Sequence, residues 1–262
     1  MNRILAALLL TLLTGCSLLP EQVDETKGWS ASKLYSAAKA ELQDDNYTKA
    51  VELFEKLEAR YPYGPYAQQA QLEVAYAYYK DSEPVSAIAA CDRFIKLHPN
   101  HEHVDYAYYL KGLANFIEDQ SLFASLGDQD MSERDPRAAR EAFETFKELV
   151  TRYPSSKYTP DATARMKYLV NALASHEVHV ARYYNKRGAY VAAVNRAKYV
   201  LEHYPQAPAL EEALYLMAQS YQAMNLNDLS KDALRVLQQN FPNSTYLTGK
   251  ANREDKAWWK FW

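Results

Sequence analysis

Five prolines, each preceded by an aromatic residue or a histidine, recur along the chain and constrain its fold more than any other feature. The pairs are Tyr61-Pro62, His98-Pro99, Tyr153-Pro154, Tyr204-Pro205 and Phe241-Pro242, spaced by 37, 55, 51 and 37 residues. Proline cannot continue an α-helix, so each pair marks the end of a structural element. A recurrence of this size is typical of a solenoid built from repeated units.

Each proline closes the same short frame: a small residue, an apolar residue four positions later, and the proline eight positions further. The frames are Ala50, Phe54, Pro62; Ala87, Cys91, Pro99; Ala142, Phe146, Pro154; and Ala193, Ala197, Pro205. Residues four apart share one helical face, and alanine lets a neighbouring helix approach closely. A helical bundle with coincidental prolines is the alternative, but four frames in one register favour helical hairpins.

The frame predicts an all-α tetratricopeptide-repeat solenoid of about five helical hairpins over residues 29–248. The fifth frame has Ser230 in place of alanine, as a terminal capping repeat often does. We expect an N-terminal set of repeats at 29–155 and a C-terminal set at 156–248.

Two units are longer than 37 residues. The first extra length fits a loop-like insertion at 117–135, with Asp135 as N-cap and Pro136 at the first helical position. The second fits a long helix over about 160–187, capped by Thr159 and stopped by Gly188. Such a helix would join the two sets of repeats.

The amino end has the pattern of a secretory leader. Residues 4–13 form an apolar run too short to span a bilayer, and Leu13-Thr14-Gly15-Cys16 resembles the lipobox of bacterial lipoproteins. We therefore expect a signal peptide at 1–15, acylation of Cys16 and a tether at 16–28. An ordinary secretory leader with an incidental cysteine is the alternative.

Composition and motifs argue against several classes of function. The formal net charge of −3 lacks the basic excess of a nucleic-acid-binding protein. His176 and His179 are three residues apart, whereas the zinc-protease motif needs histidines four apart. We find no nucleophile, phosphate-loop or dinucleotide motif, and we interpret Cys91 as structural. The sequence therefore predicts no enzyme activity, metal or cofactor.

Tyrosine is in surplus, with 22 residues against 7 glycines. The tyrosines in two stretches cannot all face inward, because consecutive helical residues point about 100 degrees apart. These are Tyr76, Tyr78, Tyr79, Tyr108 and Tyr109. Some are expected to line a concave groove that binds an extended or helical peptide. We expect the aromatic tail at 249–262 either to dock on a partner or a lipid interface or to be disordered.

Four stretches resemble the BamD family, the lipoproteins of the outer-membrane β-barrel assembly machine. They are RYPYGPYAQQAQLEVAYAYYK (60–80), DRFIKLHPNH (92–101), RDPRAAREAF (134–143) and RGAYVAAVNR (187–196). The resemblance runs from Cys16 to about Tyr246. It implies five tetratricopeptide units and a lipid anchor on the periplasmic face of the outer membrane, and Ser17 after the cysteine agrees with that membrane.

The resemblance also implies partners and site residues. It implies that N-terminal repeats bind unfolded β-barrel precursors, with substrate-binding residues at Tyr61, Gly64, Tyr66 and Tyr79. It implies that C-terminal repeats dock on a POTRA domain of the barrel-forming subunit BamA through Asn195 and Arg196, beside other Bam lipoproteins. A tetratricopeptide lipoprotein that regulates periplasmic cell-wall enzymes is the alternative function.

Overall fold

A computed structural model describes residues 24–121 and 136–248, which form ten α-helices and no β-strand. The helices are α1 (Ala31–Gln43), α2 (Tyr47–Arg60), α3 (Pro65–Lys80), α4 (Pro84–Leu97), α5 (Val104–Ser121), α6 (Arg137–Arg152), α7 (Thr159–Lys186), α8 (Tyr190–His203), α9 (Leu210–Ala223) and α10 (Asn227–Asn240). Leader residues 1–23 with Cys16, insertion residues 122–135 and the tail at 249–262 lie outside the described residues.

Consecutive helices pack side by side as five hairpins, α1–α2 through α9–α10. First helices also contact the first helix of the next hairpin, as in α1 with α3, α3 with α5, and α7 with α9. The prediction of an all-α solenoid of helical hairpins is therefore confirmed.

The second helix of every hairpin ends for the same local reason. The residue before each recurring proline is the C-cap, with φ between −128° and −132° and ψ between 49° and 66°. Because the proline ring excludes its predecessor from the helical region, the helix stops one residue earlier. The small and apolar residues of the first four frames are fully buried at 0% exposure. In the fifth frame Leu234 is 38% exposed, since no further described helix covers it.

Four of the hairpin turns share one backbone geometry. Each has three residues, and the middle residue has φ near +60° to +77°. That residue is Asp45, Ser82, Gly188 or Asn225. Gly188 follows the long helix as predicted, but the other three turns reach the left-handed region with side chains that are uncommon there. Because these three turns contain no glycine at the left-handed position, the glycines in the sequence did not predict where the turns lie.

Helix α7 spans 28 residues and joins two parts of the core. Its Leu169 and Leu173 pack in the cluster with α5 and α6, whereas Ala174, Val178 and Ala181 pack in the cluster with α8 and α9. The predicted long helix is therefore confirmed, and it packs in both of these core clusters.

Two predicted helix starts are wrong by one residue. Helix α7 begins at Thr159, so Tyr158 holds the N-cap position and the Thr159 hydroxyl donates to the Tyr153 carbonyl at 2.9 Å. Helix α6 begins at Arg137, so Pro136 is the N-cap rather than the first helical residue, and Asp135 lies outside the described residues. In both cases the proline still lies in the entry turn, where its missing N–H costs nothing.

Gly112 lets α5 and α6 approach closely. A Cβ built at this position would lie 2.4 Å from Cε1 of Phe146, whose side chain is fully buried. Gly112→Ala is expected to lower the free energy of unfolding by about 1–2 kcal/mol, because overpacking outweighs the helix propensity that alanine adds. Urea unfolding monitored by circular dichroism measures the change.

The control for this prediction shortens the opposing side chain. In a Phe146→Leu background the same Gly112→Ala change should be neutral or stabilising, because the clash is gone. Equal destabilisation in both backgrounds would show that Phe146 is not the cause.

Candidate functional site

The first helices of the N-terminal hairpins line a concave groove with a volume of about 540 Å³. That volume lies within the range of known ligand sites. Helices α1, α3 and α5 supply most of the wall, and the residue before α7 closes one end. The lining residues are Tyr35, Lys39, Gln69, Leu72, Glu73, Tyr76, His103, Tyr106 and Tyr158.

Stacked tyrosines hold one end of the groove. The Tyr109 ring stacks on Tyr158 with centroids 4.7 Å apart, and Tyr106 packs on Tyr158 at 5.4 Å. The Tyr109 hydroxyl donates to Asp161 at 2.7 Å, and Arg165 donates to the same carboxylate at 2.6 Å. Burial, with the Asp161 hydrogen bond, raises the pKa of Tyr109 to about 12. These contacts hold the three rings in fixed positions relative to one another.

A charged pair lies at the other end of the groove. Lys39 Nζ is 2.8 Å from Glu73 Oε1, and the Tyr35 hydroxyl donates to the same oxygen at 3.3 Å. Burial and the nearby Glu73 carboxylate raise the pKa of Tyr35 to about 12. The groove thus offers aromatic faces together with a few fixed polar groups, an arrangement that suits an extended peptide with aromatic side chains.

Three predicted substrate-binding residues lie together at the turn between α2 and α3. The Tyr61 hydroxyl donates to the Trp29 carbonyl at 2.8 Å, and Gly64 precedes α3 with φ of 103°. The Tyr66 ring is 40% exposed and lies 5.5 Å from Tyr35. Tyr66 therefore lies at the rim of the groove, where its ring contacts the lining residue Tyr35. Tyr61 and Gly64 belong to the adjacent turn.

The fourth predicted substrate residue, Tyr79, lies apart from these three. It packs one turn after Tyr76, in a cluster with the buried side chains of Cys91 and Leu110. Burial raises the pKa of its hydroxyl. Burial likewise raises the pKa of the Cys91 thiol to about 12, which agrees with a structural role for this cysteine.

Sequence reasoning did not single out Tyr35, Tyr106 and Tyr158, which line the groove. They come from three different hairpins, and no spacing along the chain relates them. Their convergence depends on how the hairpins stack. The tyrosine surplus indicated that a groove exists, but not which tyrosines form it.

A second candidate surface surrounds the predicted partner-binding residues. Arg196 on α8 donates to Glu177 on α7 at 3.0 Å, and Arg140 on α6 donates to the other carboxylate oxygen at 3.3 Å. The Glu177 side chain is only 2% exposed, whereas the two arginine side chains are 45% and 49% exposed. Asn195 is exposed next to Arg196.

This arrangement leaves one positive charge in excess. One carboxylate balances one of the two guanidinium groups, and each guanidinium has five N–H donors. Glu177 holds both arginines in place, so their outer donors face solvent in a fixed orientation. The surface can accept a second carboxylate from outside the chain.

Within residues 24–121 and 136–248, no group of three histidine, cysteine, aspartate or glutamate side chains is arranged to hold a metal ion. None of the helices in the same ranges has both the length and the apolar character needed to cross a membrane.

Comparisons with known proteins identify a family and relatives that match most of this chain. Residues 28–237 match the family model YfiO, described as "Outer membrane lipoprotein". The "Outer membrane protein assembly factor BamD" of Neisseria gonorrhoeae is 51% identical over 237 residues, which cover 90% of this chain and 89% of that protein. The factor of the same name from Xylella fastidiosa strain Temecula1 is 39% identical over 254 residues, covering 94% and 85%. Among solved structures, MamA protein matches with a TM-score of 0.39 and 14% identity, covering 80% of this chain and 90% of that one.

Proposed function

The chain belongs to the YfiO/BamD family of outer membrane lipoproteins, and on that premise we propose that it is a non-catalytic scaffold and substrate receptor for the assembly of outer-membrane β-barrel proteins. One observation carries the proposal. In a chain whose relatives are named as assembly factors, the first helices of three hairpins form a tyrosine-lined groove.

The chemistry of the groove fits the proposed substrate. Barrel strands alternate in polarity and carry aromatic residues at both membrane interfaces. An unfolded precursor therefore presents extended segments with aromatic rings and unpaired backbone groups. The rings of Tyr76, Tyr106 and Tyr158 supply stacking surfaces, and Lys39 with Glu73 supplies polar partners. Binding needs no chemical step, because holding the precursor raises its local concentration.

The exposed surface formed by Asn195, Arg196 and Arg140 around Glu177, here called the Arg196 surface, is the proposed docking site for the barrel-forming subunit. Asn195 and Arg196 would meet an acidic residue of a POTRA domain in BamA, and Arg140 would supply a second guanidinium group. The excess positive charge around Glu177 supports this assignment, because an acidic residue of the partner would neutralise it. Other Bam lipoproteins are proposed as further partners of the same complex.

Acylation of Cys16 is the proposed membrane attachment, with the solenoid on the periplasmic face. Asp24 lies eight positions after Cys16, with seven residues between them, and it forms an ion pair with Arg60 of α2. Arg60 also donates to the Thr26 carbonyl at 2.6 Å. An extended chain of eight residues spans at most about 27 Å, so the first hairpin would stay close to the membrane.

Purification of the full chain from detergent-solubilised membranes tests the proposal. The wild-type protein is expected to carry the barrel-forming subunit with it, and Arg196→Glu should lose that subunit because the charge reversal opposes an acidic partner. Thermal unfolding checks that this variant, which also removes a partner of the buried Glu177 carboxylate, remains folded. Lys198→Glu is the matched control, with the same charge change at an exposed position of the same helix, and it should retain the subunit.

Recovery of the wild-type chain without any barrel-forming subunit would contradict the proposal. Recovery with peptidoglycan synthases in its place would instead support the alternative, a regulator of periplasmic cell-wall enzymes. Loss of the subunit in both charge variants would show that general electrostatics, rather than the Arg196 surface, holds it.

A further inference from the structure

A second cavity, separate from the tyrosine groove, lies along helix α6. Its volume is about 660 Å³, and α4, α5 and α6 form its walls. On α6 the lining runs from Glu141 to Arg152, which at 1.5 Å per residue is about 16 Å. A stretch of that length matches about five residues of extended peptide. We call this cavity the α6 trough.

One polar atom in the wall of the trough has no partner. Asn115 is 1% exposed, and its amide nitrogen donates to the Lys111 carbonyl at 3.2 Å. Its carbonyl oxygen Oδ1 accepts no hydrogen bond. Buried acceptors without a donor are rare, because the lost hydration is not replaced. Among the described side chains this is the one such atom.

Other atoms of the trough are also acceptors. The Thr145 hydroxyl donates to the Glu141 carbonyl at 2.7 Å, and the Thr151 hydroxyl donates to the Lys147 carbonyl at 2.7 Å. Each hydroxyl has thus used its proton and keeps only oxygen lone pairs. The exposed Glu141 carboxylate adds two further acceptor oxygens.

The donors of the trough are already engaged. Lys111 is 2.6 Å from Asp92, and Lys147 is 3.3 Å from Glu144. Arg152 pairs with Glu148 at 3.0 Å. Four acidic and three basic side chains line the cavity, so Glu141 accounts for the excess negative charge. Each basic side chain of the trough is therefore paired with an acidic one, and the trough is short of one positive charge.

We infer that the α6 trough is a binding site for an arginine side chain on an extended segment of a partner protein. A guanidinium has five N–H donors, no acceptor and a permanent positive charge, which is the complement of this wall. Because Asn115 Oδ1 is buried, the Lys111 side chain, one turn before it, would have to rotate to admit the guanidinium. Segment 122–135 of this chain carries four acidic residues and one basic residue, so it has the wrong charge to be the occupant.

Fluorescence anisotropy with the full-length protein in detergent tests this inference. The probe is a labelled, capped pentapeptide of sequence glycine-serine-arginine-serine-glycine, and its control has citrulline, which is neutral but of nearly the same shape. The arginine peptide should bind at least about tenfold more tightly than the citrulline peptide, since a charge-assisted hydrogen bond contributes that much.

Two variants locate the site. Asn115→Leu removes the acceptor and Glu141→Gln removes the charge, and each should weaken the arginine peptide by at least about tenfold. Glu202→Gln is the control, with the same change in net charge at an exposed position that does not line the trough, and it should weaken binding by less than about threefold. Thermal unfolding shows whether Asn115→Leu is folded. Glu141→Gln is expected to fold as the wild type does, because Glu141 is exposed.

Equal affinity for the two peptides would overturn the inference, and so would unchanged affinity in both site variants. Ethylguanidinium binding as tightly as the arginine peptide would also overturn it, because the site would then recognise a small cation rather than an extended segment. None of these outcomes bears on the tyrosine groove, where Glu141→Gln should leave precursor binding unchanged.

Discussion

Replacing both Arg140 and Arg196 with methionine is expected to lower the free energy of unfolding by about 3 kcal/mol. The Glu177 side chain is 2% exposed, and these two arginines are the donors to its two carboxylate oxygens. Without them the buried carboxylate loses both of the hydrogen-bonding partners that compensate for its burial. Urea unfolding of residues 17–262 at neutral pH measures the loss.

A third substitution separates the cause from simple loss of side-chain packing. Glu177→Met in the double variant should recover most of the stability, because an apolar side chain then fills the site without a buried charge. Arg235→Met is the surface control. It breaks an exposed ion pair with Asp232 and should change the free energy of unfolding by less than about 0.5 kcal/mol. Failure of Glu177→Met to recover stability would show that the carboxylate is not the origin of the loss.

Tyr76→Ala is expected to weaken the binding of an unfolded barrel precursor by about thirtyfold. Tyr76 lies in the wall of the groove between the rings at one end and the charged pair at the other. Truncating a central aromatic side chain in a binding site commonly costs 2 kcal/mol or more. Fluorescence anisotropy of a labelled precursor in dilute urea measures the affinity.

Tyr63→Ala is the matched control for the groove. Tyr63 is 92% exposed in the turn after α2 and does not line the groove, so its loss should leave precursor affinity within about twofold. Thermal unfolding of Tyr76→Ala checks that the hairpins remain packed. Equal weakening by the two variants would place precursor binding outside the groove.

The local parts of the fold could be predicted because their causes lie close together in sequence. A proline acts on the residue directly before it, so Tyr61, His98, Tyr153, Tyr204 and Phe241 end their helices as expected. The turns at Asp45, Ser82 and Asn225 could not be predicted from glycine, because other side chains adopt the left-handed geometry there. Helix starts were predicted less accurately than helix ends, since Thr159 was expected to be an N-cap but is the first residue of α7.

The candidate sites depend on contacts between distant residues. Glu177 lies 37 residues from Arg140 and 19 from Arg196, and only the packing of α6, α7 and α8 brings them together. In the sequence, the only notable property of Glu177 is its position between His176 and His179, which form an incomplete metal motif. Asn115 carried no signal in the sequence, since an unpartnered oxygen is a property of the packed structure.

Helix α7 begins beside Tyr158 at the groove and passes Glu177 about 28 Å further on. Under the proposed function, one continuous helix sets the spacing between the precursor-binding groove and the surface that docks on the barrel-forming subunit. A rotation of this helix would move both surfaces together. The chain would then determine how far from its docked subunit a precursor is held.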